Sequence, residues 1–91
     1  MTLKSRESTQ FKRDIKRLIK QHADLQKLEI VVRKLVAQEP LEQRYRDHAL
    51  SGNRRGYREC HIEPDWLLIY RVEGGELQLA ETGSHAHLFS L

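Results

Sequence analysis

Apolar residues recur at two different periods along this chain, and the change of period divides it. Phe11, Ile15, Leu18 and Ile19 fall at helical spacing, with Lys12, Arg13, Lys16, Arg17 and Lys20 between them. With Ser8 placed to cap it, this pattern predicts an amphipathic helix over residues 8–21. His22 and Ala23 break the pattern, and Asp24 caps a second predicted helix over 24–38. Its stripe is Leu25, Leu28, Val32 and Leu35, widened by Ile30, Val31 and Val36. So short a connection packs the two helices antiparallel as a hairpin, with His22 as a solvated loop residue. Pro40 ends the helical region. From residue 57 the period becomes two. Tyr57, Glu59 and His61 face one way over strand 57–62, and Arg58, Cys60 and Ile62 face the other. The run Trp66-Leu67-Leu68-Ile69-Tyr70-Arg71-Val72 is nearly continuous in apolar residues, so strand 66–73 should be central and covered on both faces. Gly74-Gly75 marks a hairpin into a third strand, 76–82. Residues 2–6 offer a short first strand around Leu3.

The predicted order is β-α-α-β-β-β, an α+β domain with an N-terminal helix hairpin packed on a mainly antiparallel four-stranded sheet. The long polar loop 39–56 and the tail 84–91 then frame the other sheet face as a concave surface. Leu88, Phe89 and Leu91 should pack the tail back onto the domain.

Composition narrows the class. Ninety-one residues form one domain, 1–91, with one modest core. Cys60 is the single cysteine, which excludes an intramolecular disulfide framework and suits a reducing compartment. No apolar run approaches the roughly 18 residues of a membrane span. The first residues hold no apolar secretory core, so a cytoplasmic protein is expected. The net charge of +3 is unevenly spread. Residues 1–47 carry twelve Lys and Arg against seven acids, a balance of +5, whereas residues 48–91 carry four Arg against six acids, −2. The basic half suits a polyanion such as RNA, or an acidic protein, although solvated helix faces look the same by charge count.

Four of the five histidines lie in the second half. His48, His61, Asp65 and His85 sit at or beside loops that can converge on one rim of the sheet. Metal-free RNA cleavage needs a base for the 2′-hydroxyl, a cation for the phosphate and an acid for the departing 5′-oxygen. Imidazole serves all three, because its ordinary pKa of about 6.5 keeps both protonation states available near neutrality. A carboxylate can act as base or can orient a histidine. Arg54 and Arg55 suit backbone phosphates. Trp66 and Phe89 can stack bases or pack in the core. His85-x-His87 with His61 or Asp65 has zinc-ligand chemistry, but Cys60 points away from His61, and no metal or other cofactor is expected.

Three stretches together, Asp47-His48-Ala49-Leu50-Ser51-Gly52, Gly56 to Tyr70, and Glu81 to Phe89, resemble YafQ-type toxins of the RelE superfamily. The helix Gln10 to Leu18 extends the resemblance over nearly the whole chain. It implies a toxin of a bacterial type II toxin–antitoxin module, a ribosome-dependent endoribonuclease that cuts mRNA in the A site, with rRNA contacts there. It implies a cognate antitoxin that inhibits it, in a complex that binds operator DNA. The family's functional positions fall on His48, His61, Asp65, Trp66, His85 and Phe89, and none is replaced. It favours His85 over His87, an accessory or neutral residue, as the catalytic histidine of the tail. The expected roles are Asp65 as base, alone or with His61, His85 as acid, and His48 with Arg54 or Arg55 steadying the phosphate. The competing reading is a non-enzymatic RNA- or protein-binding module that uses the basic helices.

Overall fold

A computed structural model describes residues 2–89. The first strand, β1 (Lys4–Glu7), leads into helices α1 (Thr9–Lys20) and α2 (Leu25–Val36). A two-residue strand, β2 (His48–Ala49), precedes the meander β3 (Arg58–Glu63), β4 (Trp66–Glu73) and β5 (Glu76–Gly83), and a short helix, α3 (His85–Phe89), follows. Both long helices start as the sequence predicts. Ser8 Oγ accepts the Phe11 N–H at 2.9 Å, and Asp24 Oδ1 accepts the Gln26 N–H at 3.1 Å. His22 closes α1 in the left-handed region at φ 58° and is exposed.

The strands lie in the order β1-β5-β4-β3-β2. β1 runs parallel to β5 and every other pairing is antiparallel. The sheet therefore has five strands where periodicity predicts four. The addition is the two-residue β2, which pairs His48 with Glu59 and Ala49 with Arg58. Two residues are too few to show alternation, and their sheet partners, Glu59 and Arg58, lie eleven and nine residues away in sequence. Gly74 and Gly75 take φ 58° and 76°, the paired positive values that a tight β4–β5 hairpin requires.

β4 is the middle strand, and all of Trp66 to Tyr70 is buried. Its side chains divide between two cores. Trp66, Leu68 and Tyr70 join Phe11, Leu28, Val31, Cys60 and Leu77 under the helices. Leu67 and Ile69 face the other side, where Leu88 of α3 covers them with Leu50, Tyr57, Ala80 and Phe89 around it. Burying a side chain of this size is worth roughly 1.5–3 kcal/mol. Leu88 thus ties α3 back to the sheet, as the tail's apolar residues predict. Leu91, also expected in that packing, lies outside the described residues.

Candidate active site

Strand geometry builds the site. Residues i and i+2 of β3 share a face, so Glu59 and His61 project together. The β2 ladder sets His48 directly across from Glu59. The turn after β3 carries Asp65, and Gly83 ends β5 so that His85 opens α3 beside that turn. The His61 ring centroid lies 6.3 Å from that of His48 and 5.7 Å from that of His85. Four expected residues from four separate elements thus form one cluster. Glu59, only 6% exposed, joins them. Its Oε1 is 3.6 Å from His48 Nε2 and 4.0 Å from His61 Nε2. The alternation that put Glu59 on the His61 face was the available signal for it.

Hydrogen bonds set the tautomers of two rings. His48 Nδ1 lies 2.6 Å from the Arg46 carbonyl, which can only accept, so Nδ1 carries a proton and Nε2 faces Glu59. His85 Nδ1 donates to Asp65 Oδ1 at 2.7 Å, and the His85 backbone N–H reaches the same oxygen at 3.0 Å. Those bonds, the backbone one first, hold the Asp65 carboxyl below its ordinary value of 3.8. The hydrogen bonds of Asp65 thus go to His85, whose ring and backbone both meet the turn. His61 is different again. Burial is the first cause that pushes its pKa below 6.5; the neighbouring His85, Arg46 and His48 add to it and Glu59 opposes it. Its Nδ1 is buried without a hydrogen-bond partner among the described residues.

Two networks brace the cluster. Asp47, next to His48, accepts the Tyr70 hydroxyl at 2.5 Å and lies 3.3 Å from Arg58 Nε, so the His48 strand is bolted to β4. On the other side, Asp14 of α1 is fully buried and accepts the Thr82 N–H at 3.0 Å and Arg17 Nη1 at 2.7 Å. Arg17 Nη2 donates to the Thr82 carbonyl at 2.8 Å, and Arg17 Nη1 to His87 Nε2 at 2.8 Å. Gly83 has φ 157°, and a Cβ there would stand 2.6 Å from Arg17 Nη2. His87 thus belongs to the bracket that holds the end of β5, while His85 points into the cluster. Periodicity does not reveal the bonds of Asp14, Arg17 and Tyr70 to Thr82, His87 and Asp47, because those partners are distant in sequence.

The expected RNA-binding residues separate. Trp66 is 6% exposed in the helix-side core, and its Nε1 donates to Thr82 Oγ1 at 2.9 Å, so it presents no face for a base to stack on. This corrects the expectation of Trp66 as a stacking residue: its position on β4 turns it to the core. Phe89 is half-buried, with its ring centroid 6.5 Å from that of His85 and the Arg54 guanidinium 5.0 Å over it. Arg54 is also bonded to Glu81 and, at 2.8 Å, to the Leu88 carbonyl, which makes it a strut between loop and tail. Arg55 is exposed.

Glu59, His61 and His85 each offer one ligand atom, all within 4.8 Å of one another. That is wider than the roughly 3.4 Å edge of a tetrahedron with bonds near 2.1 Å. Two imidazoles and a carboxylate have the right donor chemistry for a divalent ion, and modest side-chain rotation would close them on one. Burial drives the Cys60 thiol up to about 12, and it lies in the helix-side core, apart from these donors.

Comparison with known proteins places this fold. It matches that of bacterial toxins of type II toxin–antitoxin systems. Within that class, the family model described as YafQ matches residues 3–90, and the chain belongs to that family. The mRNA interferase toxin YafQ of Escherichia coli is 42% identical over 83 residues, which are 90% of each chain. The crystal structure of the E. coli DinJ–YafQ toxin–antitoxin complex contains a chain 39% identical, with a TM-score of 0.89 over 98% of this chain and 99% of that one. A metal-bound toxin from Helicobacter pylori is 40% identical, with a TM-score of 0.90 over 96% and 99%. Among the described residues, no helix is long and apolar enough to cross a membrane.

Proposed function

We propose that this toxin is a ribosome-dependent endoribonuclease that cuts mRNA in the ribosomal A site and so stops translation. The observation that carries the reading is the His61–His85 pair, with centroids 5.7 Å apart and His85 fixed by Asp65 at 2.7 Å. Two imidazoles in different electrostatic settings are what a base and an acid require. His61 is depressed by burial and is therefore neutral near pH 7, ready to accept the proton of the 2′-hydroxyl. The 2′-oxygen then bonds to phosphorus and the bond to the 5′-oxygen breaks. His85 gives that oxygen a proton from Nε2, while Asp65 holds its Nδ1–H and steadies the imidazolium. Asp65 is thus a positioning residue and passes the base role to His61. Glu59 steadies the proton gained by His61, and His48, half-exposed at the rim, supports the phosphate. The exposed Arg55, and Phe89 backed by Arg54, lie along the RNA and the surrounding rRNA.

An ion on Glu59, His61 and His85 would act as a Lewis acid, but it would occupy the two imidazoles that carry protons here. The proposed chemistry therefore needs no metal. We assign this chain a cognate antitoxin as partner, in a complex that binds operator DNA, and a place in the cytoplasm. The test is a translating ribosome carrying an mRNA with a 2′-deoxynucleotide at the scissile position. Cleavage should vanish there, and on unmodified mRNA it should leave 2′,3′-cyclic phosphate and 5′-hydroxyl ends. Cutting of the deoxy substrate would sink the mechanism.

A further inference from the structure

A cavity of about 530 Å³ opens beside His61, between α2, the turn at residues 43–46 and the β3–β4 turn. His61 is its one member shared with the catalytic cluster. Its apolar wall includes Ile30 and Ile62. Ile30 is 48% exposed, an apolar side chain left half-open to solvent at the cavity mouth. Three cations surround that wall: Lys27, Arg44 and Arg46. Lys27 is balanced by Glu63 at 2.6 Å, so the pair closes one side without net charge. The Arg44 guanidinium lies 4.8 Å over the Tyr45 ring, is held by Tyr45 Oη at 3.0 Å and lies 3.5 Å from Glu42, yet stays 69% exposed. Its outer face is a flat cationic platform. Arg46 is exposed, is held at φ 47°, and has no ion-pair partner among the described residues.

We propose that this cavity is the subsite for a nucleotide next to the scissile phosphate. The base packs against Ile30 and Ile62 and stacks on Arg44, and its phosphate is drawn to Arg46. The inference rests on the reading that RNA is cut at His61 and His85. Its own support is separate. The volume lies within the roughly 300–1,000 Å³ of small-ligand sites. Among the described lining residues the one carboxylate, Glu63, is paired with Lys27, and Arg44 lies 3.5 Å from Glu42, so Arg46 carries the unbalanced positive charge that selects an anion. An apolar wall beside an exposed guanidinium plane is how proteins hold an unstacked base. Sharing His61 puts the occupant one residue from the reacting phosphate. The cavity would therefore read sequence, while the cluster performs a chemistry indifferent to it.

The test uses the full chain on translating ribosomes, with mRNAs in which the nucleotides flanking the cut are varied one at a time. Two variants are compared with the natural protein: Ile30→Trp, which fills the cavity from a half-exposed helix position, and Arg44→Ala, which removes the stacking plane at a side chain 69% exposed. The natural protein should prefer certain bases at one flanking position. Both variants should flatten that preference to within about twofold and raise KM about tenfold, with kcat within about threefold. Unchanged KM and unchanged preference in two folded variants would overturn the subsite while leaving the endonuclease reading intact. Loss of antitoxin affinity alone, with cleavage unaltered, would also overturn it and make the cavity a protein-docking site. If the natural protein cuts no mRNA on ribosomes, the endonuclease reading falls first.

Discussion

The carboxylate of Asp14 accepts the backbone N–H of Thr82 at 3.0 Å, joining residues 68 apart in sequence. Through this bond and the Arg17 bridge, α1 holds β5 at Thr82, three residues before His85. Removing a buried carboxylate leaves Thr82 N–H and Arg17 unsatisfied. Asp14→Ala should therefore lower the free energy of urea unfolding by about 2–4 kcal/mol. Burial pushes the Asp14 carboxyl up, but hydrogen bonds from Arg17, Thr82 and Gln10, with the Arg17 charge, outweigh it and keep it below 3.8. A depressed folded value means stability that is complete above the unfolded value and lost as pH falls through the folded one. The natural protein should thus lose more stability than Asp14→Asn as pH falls from about 4 through the folded value.

His61 gives a second pH dependence, near neutrality. Its folded pKa lies below 6.5 because of burial, so the unfolded chain binds a proton that the folded chain does not. Stability should fall as pH drops from about 6.5 toward the folded value. The acid limb of kcat/KM should lie below pH 6.5 as well. Proton NMR titration of the ring should give a midpoint under 6.5, and His61→Gln should abolish both the cleavage and the limb.

Asp65 is 70% exposed, so its replacement costs the fold little. Asp65→Ala should change unfolding free energy by no more than about 0.5 kcal/mol. It should nonetheless lower kcat by about ten- to a hundredfold, because the His85 ring loses its orienting bond. An equal loss in His85→Ala and in the double variant would show that the two act as a unit.

Tyr70→Phe removes the hydroxyl that anchors Asp47 at 2.5 Å. The expected cost is about 1–2 kcal/mol. Amide exchange should quicken at Leu50, whose N–H donates to the Tyr57 carbonyl at 2.9 Å beside the short β2 ladder. Cleavage should fall severalfold as His48 loosens, with antitoxin binding preserved.

The buried Trp66 and Cys60 make a spectroscopic and chemical check. Trp66 fluorescence should be blue-shifted in the folded protein and resist iodide quenching, and RNA binding should leave its exposure unchanged. Cys60, driven up to about 12 by burial, should react with thiol reagents only on unfolding.

The helices and the meander were legible because their signals are local. Ser8 and Asp24 cap within three residues, Gly74-Gly75 permits only a tight turn, and alternation in β3 assigns Cys60 and His61 to opposite faces. The identities of His48, His61, Asp65 and His85 were legible too, because few residue types can move protons at neutral pH. Their partners were not. Whether Asp65 meets His61 or His85 depends on where Gly83 ends β5 and on what Arg17 leaves room for. Whether Trp66 meets RNA or the core depends on which face of β4 the helices cover. The strand pairing of His48 with Glu59, and the cavity beside His61, exist only once α2, β3 and the loop are assembled. Periodicity reports which side of an element is buried. It carries no information about which distant element supplies the contact, because that choice is made by packing the whole chain.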